Sequence, residues 1–257
     1  MKNPEKIISP QNGGIKLLKK LSLKKYRNET GKFAVENLAI IYDGLQSGYD
    51  FETLFITEDF IKKNKEKFEY LQKNSKSDKF YLIDEKLNKH YSELETPSGV
   101  TAIYKIKISS LTPNKSVIYL NGVSDPGNLG TIMRTCLAFD FANLIVDENC
   151  ADIYNPKTIN AAKDSIFKLN IFKDKDNNWL KKNKNIFFVY AASSRNGISL
   201  DKFKPSKLFC LVLGSESHGV SGEIIKLAKE NIKIEISKNI ESLNVASAAA
   251  ILLYELR

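Results

Sequence analysis

Hydrophobic and polar positions alternate in two different ways along the chain, and the pattern changes near residue 110. Before that point, strand-like runs such as TLFI and KFYLI alternate with amphipathic helical stretches, and residues 100–108 place apolar side chains at every second position. This front part is an α/β unit with the size of a small domain. The turn-rich stretch Ser109–Ser116 has no periodicity and is interpreted as a linker. The sequence therefore predicts two domains, residues 1–110 and 116–257.

The second part repeats a different unit, in which a strand is followed by a polar loop and a helix. The candidate strands are VIYL, NLIV, IFFVY, LFCLVL and IKIEI. Several are unbroken apolar runs, which are typical of strands covered by helices on both faces. Together with the final helix VASAAAILLYELR, this alternation predicts an α/β fold with a mostly parallel sheet. Ligands of such sheets bind outside the carboxyl ends of the strands, so the loops there are the candidate site.

The first of these loops, NGVSDPGNLG, follows VIYL and leads into a helix. Asn128 stands where it could cap that helix, and Arg134 falls on the polar face. Considered singly, Asn128 is explained as a helix cap and Arg134 as an ordinary surface charge. The apolar stripe of the helix follows i, i+3, i+4, i+7, i+8 spacing: Leu129, Ile132, Met133, Cys136 and Leu137.

Two further loops follow apolar strands. In LVLGSESHGVS, Gly214 and Gly219 permit tight turns or close backbone approach, with Glu216 between them. The spacing fits neither a Walker A loop nor a G-x-G-x-x-G fingerprint, so both nucleotide motifs are excluded. The third loop, ISKNIESLNVASAAA, contains Ser242 and Asn244, two residues that commonly cap helices.

Composition narrows the class of partner. The net charge of +9 in 257 residues favours an anionic partner, nucleic acid first. The basic amphipathic stretch IKLLKKLSLKKY fits contact with RNA or with a membrane surface. No apolar run has membrane-spanning length, and the start lacks the apolar core of a secretory signal. The three cysteines are widely separated, which predicts reduced thiols and a cytoplasmic location.

Taken together, the three loops resemble the three motifs of the SpoU (TrmH-like) RNA ribose 2'-O-methyltransferases. NGVSDPGNLGTIMRTCLAFD resembles the first, with its D-P-x-N-x-G-x-x-x-R-[ST] core, and LVLGSESHGVS resembles the second, with its G-x-E-x-x-G core. IEISKNIESLNVASAAAILLYE resembles the third, in which S-L-N-V precedes an alanine-rich helix. At the front, KKYRNETGKFAVEN and LETPSGVTAIYK are similar to the substrate-binding domain often attached to this family.

The resemblance implies an architecture and a cofactor. It implies an L30e-like RNA-binding domain followed by a SPOUT α/β domain, in which the carboxyl-terminal segment forms a trefoil knot. It also implies a homodimer, S-adenosylmethionine as the cofactor, and no metal. By alignment, the expected cofactor contacts are Gly214, Ile234 and Leu243. Apolar side chains and loop backbone of this kind suit an adenine ring.

The same resemblance implies the catalytic residues. Arg134 matches the family's key arginine, to which we assign phosphate clamping and stabilisation of the nascent alkoxide. Arginine has a pKa above about 12 and is therefore a poor base. Asn128 and Glu216 are expected to fix the geometry of the loops, while Ser242 and Asn244 shape the methyl-transfer site.

Four positions depart from the family pattern. Asp140 stands where the first motif usually ends in glycine, and Asn37 stands where a glycine is common in the front domain. Glu235 replaces a common proline, and Ala246 replaces a serine that often follows S-L-N-V. None of these is a residue expected to carry catalysis.

The sequence leaves three functions open. Because the separate front domain resembles those of rRNA enzymes, the resemblance favours a methyltransferase acting on ribosomal (23S) RNA. A tRNA methyltransferase is the alternative within the same class. A non-catalytic RNA-binding or ribosome-assembly protein is the alternative in another class, although retention of Asn128, Arg134, Glu216 and Asn244 argues against it. A nucleotide-dependent oxidoreductase is excluded mainly by the missing fingerprint.

Overall fold

The computed structural model describes residues 3–107 and 110–257, which form two compact units. One unit contains residues 3–107 and 154–160, and the other contains residues 110–153 and 161–257. Ser109 of the predicted linker lies outside the described residues, and residues 110–116 contain no helix or strand. The backbone N–H and C=O of Thr112 bond to the side chain of Asn143 at 2.8 and 2.9 Å. This part of the predicted linker is therefore held against the second unit.

The first unit is built on a five-stranded mixed sheet with the order β1-β4-β3-β5-β2. Its strands are β1 Glu5–Lys6, β2 Lys32–Val35, β3 Thr53–Thr57, β4 Phe80–Ile83 and β5 Val100–Lys105. Its helices are α1 Gly13–Leu21, α2 Lys24–Thr30, α3 Leu38–Gln46, α4 Glu58–Lys63, α5 Lys65–Asn74 and α6 Glu85–Tyr91. Strands β1, β4 and β3 pair in parallel, whereas β5 pairs antiparallel with both β3 and β2. The predicted α/β character of the front part is confirmed.

The basic amphipathic stretch IKLLKKLSLKKY lies in two helices, α1 and α2, that meet at a corner. Arg27 of α2 is only 2 % exposed, and its guanidinium donates to the carbonyl oxygens of Leu21 and Ser22, each at 2.7 Å. Those carbonyls lie at the end of α1, where backbone acceptors have no partner within the helix. The buried arginine therefore holds the corner in a fixed shape.

The second unit contains a seven-stranded sheet in which every pair of described strands is parallel, with the order β10-β12-β9-β11-β6-β7-β8. The strands are β6 Val117–Asn121, β7 Asn143–Val146, β8 Asn170–Lys173, β9 Phe188–Ala192, β10 Ile198–Ser199, β11 Phe209–Gly214 and β12 Glu230–Lys233. The remaining helices of the chain are α7 Pro126–Ala138, α8 Pro156–Ala162, α9 Ser165–Lys168, α10 Asn178–Asn183, the 3₁₀ turn Leu200–Lys202, α11 Gly222–Leu227 and α12 Val245–Leu256. The prediction of a mostly parallel sheet is confirmed.

The strands of this sheet begin and end within about two residues of the predicted positions, with two larger differences. The strand predicted at residues 232–236 spans Glu230–Lys233 instead, so Ile234 and the residues after it leave the sheet. The short strands β8 and β10 were not predicted, because they lie at the two edges of the sheet and are partly exposed. Edge strands need no unbroken apolar run, which was the signal that identified the central strands.

The centre of the sheet explains why two of the loops meet. Strands β6 and β7 are buried along their whole length, and β11 is buried up to its last residue. In the register of β6 and β11, Asn121 lies opposite Gly214, and each of these residues ends its strand. The loops that follow, the first and second motifs, therefore start side by side although about ninety residues separate them. Helix α12, which follows the third loop, packs against α7.

Two departures from the family pattern have local explanations. Asn37 caps α3, because its side-chain oxygen accepts hydrogen bonds from the N–H groups of residues 39 and 40. Asp140 has a φ of +62° and follows α7. There the N–H of Asp140 bonds to Leu137 O and that of Phe141 to Cys136 O, the Schellman pattern. Position 140 therefore has the left-handed conformation that a glycine adopts without strain.

Candidate active site at the carboxyl ends of the parallel strands

Helix α7 begins earlier than the sequence indicated. Asp125 is its N-cap and accepts a hydrogen bond from the N–H of Asn128 at 2.7 Å, with Pro126 at the first helical position. Aspartate as cap followed by proline is a strong helix start, because proline fixes a helical φ and has no N–H to satisfy. The prediction that Asn128 caps this helix is therefore wrong. Its side-chain amide is left available for other contacts.

The side chain of Asn128 joins all three loops. Its Nδ2 donates to Glu216 Oε1 in the second loop, and its Oδ1 accepts a hydrogen bond from Asn244 Nδ2 in the third, at 3.1 Å. Asn244 also caps α12, as predicted, with its Oδ1 accepting from the N–H groups of residues 246 and 247. Three residues that are far apart in sequence thus form one hydrogen-bonded chain, which we call the Glu216–Asn128–Asn244 network.

The second loop is a tight turn that depends on its glycines. Ser215 and Gly219 exchange two backbone hydrogen bonds, at 3.1 and 2.9 Å, and Gly219 has a φ of +68°. A Cβ atom on Gly214 would lie only 2.0 Å from the carbonyl carbon of Gly219. Any side chain at Gly214 would therefore push the turn open, which explains the glycine at each end of the G-x-E-x-x-G sequence.

A cleft of about 920 Å³ lies beside this turn. Its lining includes the three expected cofactor contacts, Gly214, Ile234 and Leu243, together with Glu216 and Ser242. The structure thus brings together the residues of the second and third motifs that the resemblance assigned to cofactor binding. The volume is within the range of small-molecule sites.

The cleft is also lined by a segment that the sequence analysis missed, residues 192–196, which begins at the last residue of β9. Here the Ser193 hydroxyl accepts hydrogen bonds from the N–H groups of Arg195 and Asn196, both at 3.2 Å. The signal was present, because AASSRNG is a turn-rich stretch directly after the apolar strand IFFVY. It matches none of the three motifs, so a comparison of motifs does not identify it.

One wall of the cleft includes Ile234, Ile236 and residues 241–243, and the segment that carries them, residues 234–243, has backbone groups available for a ligand. These residues contain neither helix nor strand. Among the described residues, one backbone–backbone hydrogen bond involves this segment, from Ile240 N–H to Ser237 O at 3.4 Å. Unpaired N–H and C=O groups beside apolar side chains match a flat heteroaromatic ring, which has polar edges and apolar faces.

Arg134 and Ser242 are both exposed, and neither takes part in the Glu216–Asn128–Asn244 network. Arg134 lies on the outer face of α7 and is not among the residues that line the cleft. Within the described part of the chain, its guanidinium makes no hydrogen bond or ion pair, so its charge faces solvent. Ser242 lines the cleft, but its hydroxyl has no hydrogen-bond partner in residues 3–107 or 110–257.

Three further properties that the sequence addressed are the state of the cysteines, metal binding and membrane-spanning helices. All three cysteines are free, as predicted, and all three are buried. Burial raises the pKa of the Cys136 and Cys150 thiols to about 12, so these thiols stay protonated at neutral pH and are poor nucleophiles. The described residues contain no group of three or more His, Cys, Asp or Glu side chains that could hold a metal ion. Within the same residues, no helix is long and apolar enough to cross a membrane.

Comparison with known proteins agrees with this geometry. Residues 115–254 match the SpoU rRNA Methylase family, and residues 12–102 match the MRM3-like substrate binding domain. The chain is 30 % identical to the Bacillus subtilis 23S rRNA (guanosine(2553)-2'-O)-methyltransferase RlmP, over 98 % of this chain and 99 % of that protein.

Two solved structures have the same overall fold. One is a TrmH-family RNA methyltransferase of Porphyromonas gingivalis, with a TM-score of 0.82, 27 % identity and coverage of 97 % of this chain and 99 % of that chain. The other is the AdoMet-bound rRNA methyltransferase of Sinorhizobium meliloti, with a TM-score of 0.84, 25 % identity and coverage of 98 % and 96 %. With the family match covering more than half of its length, the chain belongs to the SpoU rRNA methylase family.

Proposed function

We propose that this protein transfers the methyl group of S-adenosylmethionine to a ribose 2'-hydroxyl of ribosomal RNA, specifically 23S rRNA. The observation that carries the proposal is the Glu216–Asn128–Asn244 network, which joins the three family motifs at the edge of a cleft. Similarity along nearly the whole chain to a 23S rRNA 2'-O-methyltransferase supports the substrate. Similarity to an AdoMet-bound structure supports the cofactor.

The cleft fits S-adenosylmethionine in size and chemistry. Ile234 and Leu243 offer apolar contact to the adenine, and the unpaired backbone of residues 234–243 offers hydrogen bonds to its edges. Gly214 allows the turn beside the cleft to close on itself, because a side chain there would meet the backbone of Gly219. When bound, the cofactor supplies an electrophilic methyl group on a sulfonium.

The chain's own residues orient the RNA and stabilise charge. We assign Arg134 to the phosphate next to the target ribose, because its guanidinium is exposed and unpaired among the described residues, and it offers planar donors to a phosphate. The same charge stabilises the negative charge that develops on the 2'-oxygen, which makes the hydroxyl easier to deprotonate. The Glu216–Asn128–Asn244 network keeps the loops in place, and Ser242 lies on the cleft beside the methyl-transfer site.

We assign RNA backbone binding in the first unit to the corner between α1 and α2. Residues 12–30 carry five lysines and one arginine against one glutamate, a net charge of +5 out of +9 for the whole chain. Arg27 makes the corner rigid, and the ring of Tyr26 lies 5.3 and 5.8 Å from the ammonium groups of Lys20 and Lys25. A fixed basic surface of this kind fits phosphates. Four exposed lysines here have no ion pair in the described residues and are called the corner lysines: Lys16, Lys19, Lys20 and Lys24.

We further propose that the protein acts as a homodimer through the outer face of α12. Ile251 and Tyr254 are 40 % and 51 % exposed there, and Arg257 stacks on the Tyr254 ring at 3.6 Å. Aromatic residues and arginine are enriched at such interfaces. Light scattering over a range of concentrations tests this proposal. A monomer at micromolar concentration would contradict it, and Tyr254→Lys should weaken the dimer.

The function is tested by supplying tritiated S-adenosylmethionine and a 23S rRNA transcript to the wild type and to Arg134→Ala. We expect the wild type to place label on a ribose 2'-oxygen. The phosphodiester next to a 2'-O-methyl ribose resists alkaline hydrolysis, which identifies the labelled position. Arg134→Ala should lose transfer while it keeps its affinity for S-adenosylmethionine, because Arg134 does not line the cleft. If the wild type labelled tRNA alone, the proposal that 23S rRNA is the substrate would be wrong. Cofactor binding without label on any RNA, including assembling subunits, would favour the non-catalytic alternative.

A further inference from the structure

A buried carboxylate lies directly behind the first loop. Asp147 follows β7 and is 7 % exposed. Its Oδ1 accepts hydrogen bonds from the N–H groups of Gly122, Asn149 and Cys150, at 3.1, 3.0 and 3.0 Å. Its Oδ2 accepts a hydrogen bond from Asn121 Nδ2 at 2.7 Å. The family motifs assign no role to Asp147, and the cleft does not include it.

Asn121 links Asp147 to the second loop. It is the last residue of β6, and its Oδ1 accepts a hydrogen bond from the N–H of Ser221 at 2.8 Å. Ser221 lies two residues after Gly219, which ends the turn that carries Glu216, and it is the N-cap of α11. Both oxygens of Asp147 accept hydrogen bonds from N–H groups, so the NH₂ group of Asn121 faces Asp147 and the side-chain oxygen of Asn121 faces Ser221.

We propose that Asp147 and Asn121 are positioning residues for methyl transfer. Their side chains form a relay, Asp147–Asn121–Ser221, that anchors the end of the second loop to the start of the first. The anchored loop keeps Glu216 against Asn128 and keeps Gly214 at the wall of the cleft. This inference rests on the proposed function for its catalytic consequence, whereas the relay itself is a property of the fold.

The polarity of the relay provides a specific test, because the two side chains can be exchanged. In Asp147→Asn, an NH₂ group would face the NH₂ group of Asn121, and in Asn121→Asp two carboxylates would face each other. In the double variant, which we call the exchange variant, the amide at position 147 would keep its oxygen on the three backbone N–H groups. Its NH₂ group would donate to the carboxylate at position 121. The other oxygen of that carboxylate would accept from Ser221, so every hydrogen bond of the relay would be restored.

The experiment measures three quantities on the single variants, the exchange variant and the wild type. These are the Kd for S-adenosylmethionine by calorimetry, kcat and KM for RNA, and hydrogen exchange of residues 215–221. We expect each single variant to lose on the order of 10²-fold in kcat and to bind the cofactor more weakly, with KM for RNA unchanged. Exchange of the loop amides should be faster, and the exchange variant should recover most of each loss.

Tyr119→Phe is the matched control. Tyr119 lies on the same strand β6, and its hydroxyl bonds to Asp174 at 3.0 Å and to Asn177 at 2.9 Å, within a buried cluster apart from the cleft. This variant should lower the thermal midpoint while the Kd for S-adenosylmethionine stays unchanged. It therefore separates a general loss of stability from a loss of positioning.

Two results would overturn the relay. One is wild-type kinetics and loop exchange in both single variants, and the other is an exchange variant as impaired as the singles. Because hydrogen exchange of residues 215–221 does not depend on catalysis, it tests the relay even if the protein transfers no methyl group to RNA. Absence of transfer by the wild type, with normal rescue of loop exchange, would contradict the proposed function and leave the relay supported.

Discussion

Asn244 has two separable tasks, and one pair of substitutions distinguishes them. Its Oδ1 caps α12 through the N–H groups of residues 246 and 247, and its Nδ2 donates to Asn128 at 3.1 Å. Asn244→Ala removes both contacts. Asn244→Ser keeps a side-chain oxygen that caps a helix well, but serine is too short to reach Asn128. The serine variant should therefore retain stability and lose the network.

The expected magnitudes follow from these contacts. Loss of the cap in Asn244→Ala should cost about 1 kcal/mol of unfolding free energy, which is a drop in Tm of roughly 2–4 °C for a protein of this size. Asn244→Ser should lie within a few tenths of a kcal/mol of the wild type. The hydrogen bond to Asn128 is exposed, so water replaces it in the free protein at little cost in stability. If the same bond contributes about 0.5–1.5 kcal/mol to the transition state, where bound substrate excludes that water, kcat should fall by roughly 2- to 13-fold.

The assay combines thermal unfolding with single-turnover transfer of tritiated methyl to a saturating 23S rRNA fragment. Single turnover isolates the chemical step from product release. We expect Asn244→Ser to be as slow as Asn244→Ala but as stable as the wild type. A serine variant with the wild-type rate would refute the reasoning, because it would show that Asn244 acts only as a helix cap.

Three further predictions concern other parts of the chain. Asp140→Gly should raise the unfolding free energy by up to about 1 kcal/mol, because relief of the left-handed strain exceeds the entropy gained by the unfolded chain; thermal denaturation at unchanged activity is the check. Replacing the four corner lysines with alanine should weaken RNA binding and reduce the slope of log K against log[salt] by up to about 3.6 in magnitude. Replacing the exposed lysines of α5 should leave both the affinity for RNA and this slope unchanged. Arg134→Lys should not restore the transfer lost in Arg134→Ala, because an ammonium lacks the planar pair of donors.

The site could be located from sequence because of the geometry of parallel sheets. The carboxyl ends of parallel strands lie at one edge, so polar loops after apolar runs were expected to meet there. Sheet geometry indicated the loops, and the resemblance to the SpoU family indicated the individual residues. Gly214, Ile234 and Leu243 line one cleft, and Asn128, Glu216 and Asn244 form one network.

Other features depend on interactions that local sequence does not specify. Periodicity gives no strand order, so it did not indicate that β11 lies between β9 and β6, which puts Asn121 opposite Gly214. The start of α7 was misplaced because Asp125 competes with Asn128 as a cap, and the adjacent proline decides in favour of Asp125. The role of Asp147 depends on contacts with residues in other loops, and an isolated aspartate after a strand gives no sign of them.

Mapping of 2'-O-methylation in cells tests the central claim most directly. Ribosomal RNA from a strain that lacks this gene should be missing one 2'-O-methyl group in 23S rRNA. The purified wild-type protein with S-adenosylmethionine should restore that group, and the Arg134→Ala variant should not. An unchanged set of 2'-O-methyl positions in the deletion strain, with no methyl group added to its RNA in vitro, would contradict the account.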